Sequence, residues 1–401
     1  MTAVLVPDVQ ARAPLAALRS LGRAGYETHA VSHAADAIGL KSALARHSAV
    51  HPPYADAAFL PWLRAYVARH AIRMIVPTSG LLHAVQSAFD EFKPLLPVAG
   101  DPDLIFPRFS KCAVYEAYAA ADPALGLLDN HPRSWVVDLT RTTEPDLPDL
   151  PGGYYVKAEH ALGAGGNLED SGFAYVPSRD KVPETLAAFA RTWPKALVQE
   201  GCPGRQIGVS ALMHQGKALA VTCSRDLHAL PHSKGTMSLR ESCWIPQVAE
   251  DAVRRLAHLG WQGCAMVEYR LDEATGAFYL IEINFRYWQA LHLDIHAGVD
   301  FPRLQAEWFL DGRTDFGDVK MRPGVVLRDP WPGEVAHLVN VLRRRDVGAG
   351  AKLGTLALFL GRFLDPRIHT DFSFPGDRRL AWYNFRDFVA AELRGIFGQG
   401  S

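Results

Sequence analysis

The sequence predicts a mixed α/β and α+β chain, with a parallel, doubly wound sheet at its N-terminus and smaller strand-rich units after it. Three observations carry this reading. The first hundred residues alternate short apolar runs with stretches of helical spacing. A hairpin pattern near residue 275 joins two strands of mixed polarity. The composition, 48% hydrophobic and 21% charged over 401 residues, is that of an ordinary globular protein, so apolar burial can offset chain entropy and disorder across the chain is excluded.

The elements follow in order. Ala3–Val6 is an apolar strand, Pro14–Ala24 has helical spacing (Leu15, Leu18, Leu21), and Gly25 suits a helix C-terminus. Glu27–Ser32 is the next strand, Phe59–Arg69 a helix, Arg73–Pro77 a strand, Leu81–Phe92 a helix and Leu96–Ala99 a strand. Repeated βα units imply a parallel sheet. The first βα turn, Pro7-Asp8-Val9-Gln10-Ala11-Arg12, has none of the glycines a dinucleotide fingerprint needs, which disfavours an NAD enzyme, and no Walker A motif occurs. Thr78 and Ser79 lie where this sheet ends. Either fits a substrate crevice, and Ser79 also fits a helix cap.

Lys111–Ala121 is amphipathic, Trp135–Val137 is a short strand, and Thr140–Gly153 is a Pro- and Asp-rich loop. The strand Tyr154–Lys157 runs into the glycine loop Gly163-Ala164-Gly165-Gly166. A helix at Val182–Arg191 and strands at Ala196–Gln199, Ile207–Met213 and Lys217–Thr222 come next. After a helix at Gln247–Leu259, the arms Ala265–Leu271 and Phe278–Asn284 form the hairpin. Leu353–Leu364 is too short and too interrupted to span a bilayer and reads as a buried or half-buried helix, with contact to a membrane surface as the alternative.

Charge and cysteine content narrow the function class. With 42 Lys+Arg against 43 Asp+Glu, the net charge is -1, which excludes a strongly basic nucleic-acid footprint. Five widely spaced cysteines without a CxxC pair argue against a disulfide framework or zinc ribbon. Free thiols and the lack of a signal-peptide pattern or transmembrane run predict a cytoplasmic protein. His228 with His232, and His292 with His296, have chelating spacing. Neither pair has a completing ligand, so no zinc site is expected there.

The hairpin carries the strongest chemical signal. Centred near Thr275, it sets Glu268 directly opposite Glu282, and strand alternation puts Asn284 on the side of Glu282. Like charges across a ladder destabilise it unless a cation lies between them. Two carboxylates and an amide oxygen are hard ligands that suit Mg²⁺. Lys157 and the glycines after it can hold phosphates through an ammonium and backbone N–H groups.

In sequence order these features are Lys111, Lys157 with Gly163–Gly166, Val198-Gln199-Glu200-Gly201, Arg225, Glu268, and Glu282-Ile283-Asn284-Phe285-Arg286. The series resembles the ATP-grasp superfamily, in its carboxylate–amine ligase branch with carbamoyl-phosphate synthase and biotin carboxylase, over roughly residues 1–310. Phe285 replaces the proline usual between Asn and Arg. The resemblance implies a half-Rossmann domain at 1–105, a first ATP-grasp part with the lid at 106–200, a metal-bearing part at 201–325 and an extension at 326–401.

It also implies roles. Lys111 and Lys157 hold ATP phosphates under a lid formed by Gly163, Gly165 and Gly166. Gln199, Glu200 and the backbone at Gly201 and Cys202 hold adenine, and Gln206 takes the ribose position. Glu268, Glu282 and Asn284 bind two Mg²⁺, with Mn²⁺ as an admissible replacement. Arg286 steadies the transferred phosphoryl group. Arg225, from a cationic loop with His228, His232, Lys234 and Arg240, holds the substrate carboxylate. The activity implied is ATP-dependent coupling of a carboxylate to an amine through an acyl phosphate, with small-molecule substrates, no nucleic-acid partner and a homodimer left open. Carboxylase-type activation of bicarbonate or another small acid is the rival, and a non-catalytic nucleotide-binding scaffold is the second rival.

Overall fold

The computed structural model describes residues 1–160, 172–228 and 238–397. Among these, three sheets are organised by two large cores and a smaller third one.

The first sheet is parallel. Strands β1 (Ala3–Val6), β2 (Glu27–Ser32), β3 (His47–Val50) and β4 (Met74–Ile75) lie in the order β3-β2-β1-β4. Helix α1 (Arg12–Arg23) buries Leu15, Leu18 and Leu21 as its spacing predicts, and Gly25 follows it with φ +89°, a conformation glycine adopts without strain. Strand β3 is absent from the sequence reading because only alternate residues of its four face inward. Helix α2 (Phe59–His70) covers one side.

Three expectations need correction here. The helix expected over Leu81–Phe92 is broken into α3 (Ser79–Ala84), a 3₁₀ turn and α4 (Phe89–Phe92). Leu81, Leu82, Val85, Phe89 and Phe92, which share one face by helical spacing, still bury in one core across the breaks. Leu96–Ala99 is not a strand. Pro97 has no N–H for a ladder, and its carbonyl instead accepts from Gln305 Nε2 at 3.0 Å. The cap of α3 is Thr78, whose Oγ1 accepts from the Leu81 N–H, rather than Ser79.

The middle of the chain forms α5 (Pro102–Ile105), α6 (Lys111–Ala119) and a small antiparallel sheet. That sheet contains β5 (Ser134–Asp138), β6 (Tyr154–Ala158), β7 (Phe173–Val176) and β8 (Lys195–Glu200) in the order β5-β8-β6-β7, backed by α7 (Val182–Phe189). Its own core joins Val156, Val198, Val182, Leu186 and Phe189.

The third sheet has seven strands in the order β13-β12-β9-β10-β11-β14-β15. They are β9 (Arg205–His214), β10 (Lys217–Asp226), β11 (Leu239–Cys243), β12 (Gly263–Leu271), β13 (Phe278–Asn284), β14 (Val326–Arg328) and β15 (Ile368–Thr370). Only β14 and β15 run parallel. Helix α8 (Pro246–His258) covers one face, where Asp251 receives Arg255 Nε at 2.6 Å and the Tyr269 hydroxyl at 2.8 Å. Helices α9 (Leu291–Ala297) and α10 (Phe301–Asp311) pack against α1 and tie this sheet to the first domain.

The last seventy residues dock on the body through buried ion pairs. Arg19 of α1 is fully buried and donates to Asp377 at 3.0 Å, to the Asp371 carbonyl at 2.7 Å and to the Phe372 carbonyl at 3.0 Å. Asp377 also accepts from Ser42 at 2.6 Å, and Arg12 meets Asp329 at 2.5 Å. Helices α11 (Val335–Arg343), α12 (Ala349–Gly361) and α13 (Arg379–Phe397) complete the extension. Trp331 sits among Phe363, Phe385 and Phe388.

Helix α12 corrects another expectation. Only Phe359 is buried, while Leu353, Leu358 and Leu360 are 68%, 61% and 56% exposed. The one inward position packs on Arg328, and the other leucines fall on turns that meet no described neighbour core. No helix of the described residues is long and apolar enough to cross a membrane.

Arg19→Met is expected to destabilise the chain by about 3–5 kcal/mol, because it strands the buried Asp377 carboxylate. Limited proteolysis should cut the segment around 371–377 first in the variant. Unchanged melting and cleavage would show that the ion pair does not hold the extension.

Candidate ATP and metal site

The hairpin register places Glu268 opposite Glu282 and Met266 opposite Asn284. A bulge after Glu268 then moves Tyr269 onto Leu280. The pairing deduced from a turn centred at Thr275 therefore holds on the Asn284 side of the bulge, where the chemistry lies. Asn284 Nδ2 donates to Glu268 Oε1 at 2.9 Å, and its Oδ1 accepts from Arg286 Nη2 at 3.1 Å. The amide thus fixes the carboxylate on one side and the guanidinium on the other.

Lysines from two other elements converge on this pair. Ser110 caps α6 by accepting from the Ala113 N–H, which sets Lys111 on the first turn, and Lys111 Nζ lies 3.3 Å from Glu282 Oε1. Lys157, on β6, is buried and donates to Gln199 Oε1 at 2.6 Å and to the Ile281 carbonyl at 2.7 Å. That second bond joins the small sheet to the hairpin.

The electrostatics follow from burial. Burial, then the neighbouring Glu282 charge, push the Glu268 carboxyl up to about 7. Burial acts on Glu282 in the same direction, but Lys111 and Lys157 outweigh it and hold Glu282 below its ordinary value. Burial lowers Lys157 to about 8. It also lowers Arg286, against the pull of both glutamates. The pair therefore ionises at unequal cost, and Glu268 is the member whose charge lacks a full counter-charge. Two carboxylate groups and an amide oxygen on one face, with that deficit, fit a hard divalent cation.

The cleft beside them is lined by Lys111, Gln199, Glu282, Asn284 and Arg286. The sequence reading missed Arg108, Tyr115 and His131, which line it as well, while Ser79, read as a candidate for a substrate crevice, is also in the lining. Tyr115 was accessible from sequence, because it lies one helical turn after Lys111 on the same face. His131 comes from a loop and Arg108 from a single 3₁₀ turn, Phe106–Phe109, neither of which has a periodic signal. Burial lowers His131 to about 4, so it lines the cleft as a neutral imidazole.

The segment expected to hold adenine is engaged within the protein. Gln199 turns its amide oxygen to Lys157, and Glu200 pairs with Arg133 at 2.9 Å and 3.0 Å. The Gly201 N–H is bound to the Gly153 carbonyl at 2.9 Å, where Gly152 and Gly201 approach too closely for any Cβ. The Gly201 N–H is therefore engaged away from a base. Cys202 Sγ lies 3.9 Å from the Glu200 carbonyl at the same strand end. Gln206, expected at the ribose, donates to Glu268 Oε2 at 2.7 Å and so holds the buried hairpin carboxylate.

Arg225 requires the clearest correction. The register aligns Glu268 with Gly208 and Gly208 with Ser224, so Ser224 shares the Glu268 face and Arg225 projects from the other. Arg225 is neutralised there by Glu241, at 2.7 Å from Nε and 2.6 Å from Nη2. Arg240 is aligned with Asp226 and lies on the Glu268 face, where it donates to the Gln289 carbonyl at 3.2 Å. The expected single cationic loop thus divides between faces. Gly163, Gly165, Gly166, His232 and Lys234 lie outside the described residues.

No protein-family model matches the chain, and no curated protein matches its sequence. Solved structures do match in fold. An L-amino acid ligase from Bacillus licheniformis superposes with a TM-score of 0.58 at 16% identity, over 80% of this chain and 77% of that one. An N5-carboxyaminoimidazole ribonucleotide synthetase in complex with ADP gives 0.60 at 14% identity, over 90% and 96%. A biotin carboxylase from Campylobacter jejuni gives 0.59 at 16% identity, over 81% and 74%. With its parallel N-terminal sheet, small antiparallel sheet and large sheet meeting at the carboxylate pair, the chain has the ATP-grasp fold.

Proposed function

We propose that the chain is an ATP-dependent ligase that joins a carboxylate to an amine, and the opposed Glu268 and Glu282 beneath Lys111, Lys157 and Arg286 are the observation that carries this. Glu268, Glu282 and Asn284 would hold two Mg²⁺, with Mn²⁺ as a replacement, and Gln206 would orient Glu268. When bound, the metal would neutralise phosphate charge. Lys111 and Lys157 would take the phosphate oxygens, and Lys157 would exchange its Gln199 and Ile281 partners for them. The strand end at Glu200 and Cys202 would meet adenine through its backbone.

The reaction balances without a covalent enzyme intermediate. A substrate carboxylate oxygen bonds to the γ-phosphorus while the bond to the bridging oxygen of ADP breaks. The amine nitrogen then bonds to the acyl carbon, phosphate leaves and the amine loses a proton. Arg286 would stabilise the oxygens of the transferred group by position and charge. Five free cysteines, with Cys112, Cys202 and Cys223 each raised to about 12 by burial, supply no ready thiolate. The L-amino acid ligase among the structural neighbours supports an amino-acid-like acid as the first substrate to try.

The test is ADP release from Mg²⁺-ATP with a panel of carboxylates, each with and without amines. Release that needs both acid and amine supports the ligase. Release with bicarbonate alone favours carboxylase-type activation. No release together with no ATP binding by calorimetry would overturn the nucleotide reading.

Glu282→Gln should lower turnover by about 10²–10³-fold, the scale of losing one preorganised charge. Its melting temperature should fall modestly at neutral pH, because Lys111 and the buried Lys157 lose the carboxylate that they hold below its ordinary value. A variant with full turnover would remove Glu282 from the machinery.

Glu268 sets the pH dependence. Between its ordinary value and about 7, the folded chain keeps a proton that the unfolded chain has lost, so apo stability should fall as pH rises through that window. Mg²⁺ must displace the same proton. Its affinity should drop about tenfold per pH unit below 7. Calorimetry at several pH values reads both effects, and Glu268→Gln should flatten them.

A further inference from the structure

We propose that Glu27, His29 and His47 form a second, transition-metal site in the N-terminal domain, with Zn²⁺ as the ion its ligand chemistry fits. The parallel register sets His29 directly beside His47 on β2 and β3, and Glu27 lies two residues before His29 on the same face. Their ligand atoms all fall within 4.8 Å of one another. Glu27 Oε1 is 2.9 Å from His47 Nε2 and 3.7 Å from His29 Nε2. These distances bracket the edge of about 3.3 Å that follows from metal–ligand bonds of about 2.0 Å in a tetrahedron.

The second observation is His29 itself. Its side chain is 0% exposed, yet Nε2 has no hydrogen-bond partner among the described residues and faces Glu27 and His47. Its other nitrogen, Nδ1, lies 3.1 Å from the Tyr66 hydroxyl on α2. In the tautomer that carries its proton on Nδ1, Tyr66 fixes the ring and Nε2 presents a lone pair to the cluster. This is how an outer partner orients a metal-ligating histidine. A buried imidazole nitrogen without a partner is costly as an end in itself and is satisfied by a metal.

His70, the last residue of α2, stands next to these groups, with its ring centred 4.9 Å from His29 and 5.7 Å from His47. The fourth tetrahedral position falls to His70 or to water. Two imidazoles and a carboxylate select a borderline ion of this kind over Mg²⁺, which prefers oxygen ligands only. Glu27 and His47 open β2 and β3, so the site is at the amino ends of the parallel strands. Ser79, just past the carboxyl end of β4, lines the ATP cleft. The two metal sites are therefore at opposite ends of this sheet. A bound ion would staple the short edge strand β3 to β2 and to the end of α2.

The experiment titrates Zn²⁺ into the chelator-treated full chain in excess Mg²⁺, by calorimetry and thermal shift. The expected result is one Zn²⁺ per chain with a raised melting temperature. His47→Gln and Glu27→Gln, both at partly exposed positions, should lower affinity by at least tenfold, and Tyr66→Phe by about tenfold. Glu282→Gln should leave Zn²⁺ binding unchanged, which separates this site from the hairpin. Co²⁺ should give an intense visible absorption band that disappears in His47→Gln. No Zn²⁺ uptake by the wild-type chain, or equal affinity in His47→Gln and Glu27→Gln, would overturn the site.

Discussion

The confrontation of Glu268 with Glu282 across one hairpin is the constraint around which the rest of the molecule is arranged. Two carboxylates directly opposed in a ladder repel, and burial raises the cost. The chain answers with a cation from each neighbouring unit: Lys111 from the helix after the first domain, Lys157 from the small sheet and Arg286 from the hairpin's own exit. The compensation is incomplete at Glu268, whose carboxyl stays raised to about 7, and under the proposed function a divalent ion would supply the missing charge.

Lys157 has a second consequence. Its ammonium bridges Gln199 in the small sheet and the Ile281 carbonyl in the large one. A ligand phosphate competing for that ammonium acts on a contact between subdomains. Under the proposed function, nucleotide binding would therefore act on the placement of the small sheet through this one side chain. The C-terminal extension plays a contrasting part. Arg12 and Arg19 of α1 grip Asp329, Asp371 and Asp377, and β14 and β15 lengthen the large sheet. Buried pairs of this kind add modest net stability but are severe to break, so they specify where the extension sits.

The sequence carried the site to the extent that its geometry is local. Glu268 and Glu282 lie on two strands joined by a six-residue connection, 272–277, so pairing outward from the turn sets them opposite each other. Lys111 and Lys157 were legible only through their place in the series of features that resembles the ATP-grasp superfamily, since a lysine at a helix start or before a glycine loop says little alone. Tyr115 was readable by helical spacing. His131 and Arg108 were not, because a loop and a single 3₁₀ turn are too short or irregular to have a period that predicts where a side chain points.

By itself, the sequence determined the alternation of βα units, the hairpin and the residue types that could share a cation, since each follows from neighbours within one or two elements. Only the tertiary structure decided which face of the large sheet each strand presents. Arg225 and Arg240 illustrate the reason. Their parity relative to Glu268 is set by register across β9, β10 and β11, and a shift of one residue would exchange them. The cluster of Glu27, His29 and His47 is a second case: its spacing has no motif, and parallel pairing across a crossover brings it together. Nothing local encodes such a contact, because the intervening chain can close it in many ways and only packing of the whole sheet selects one.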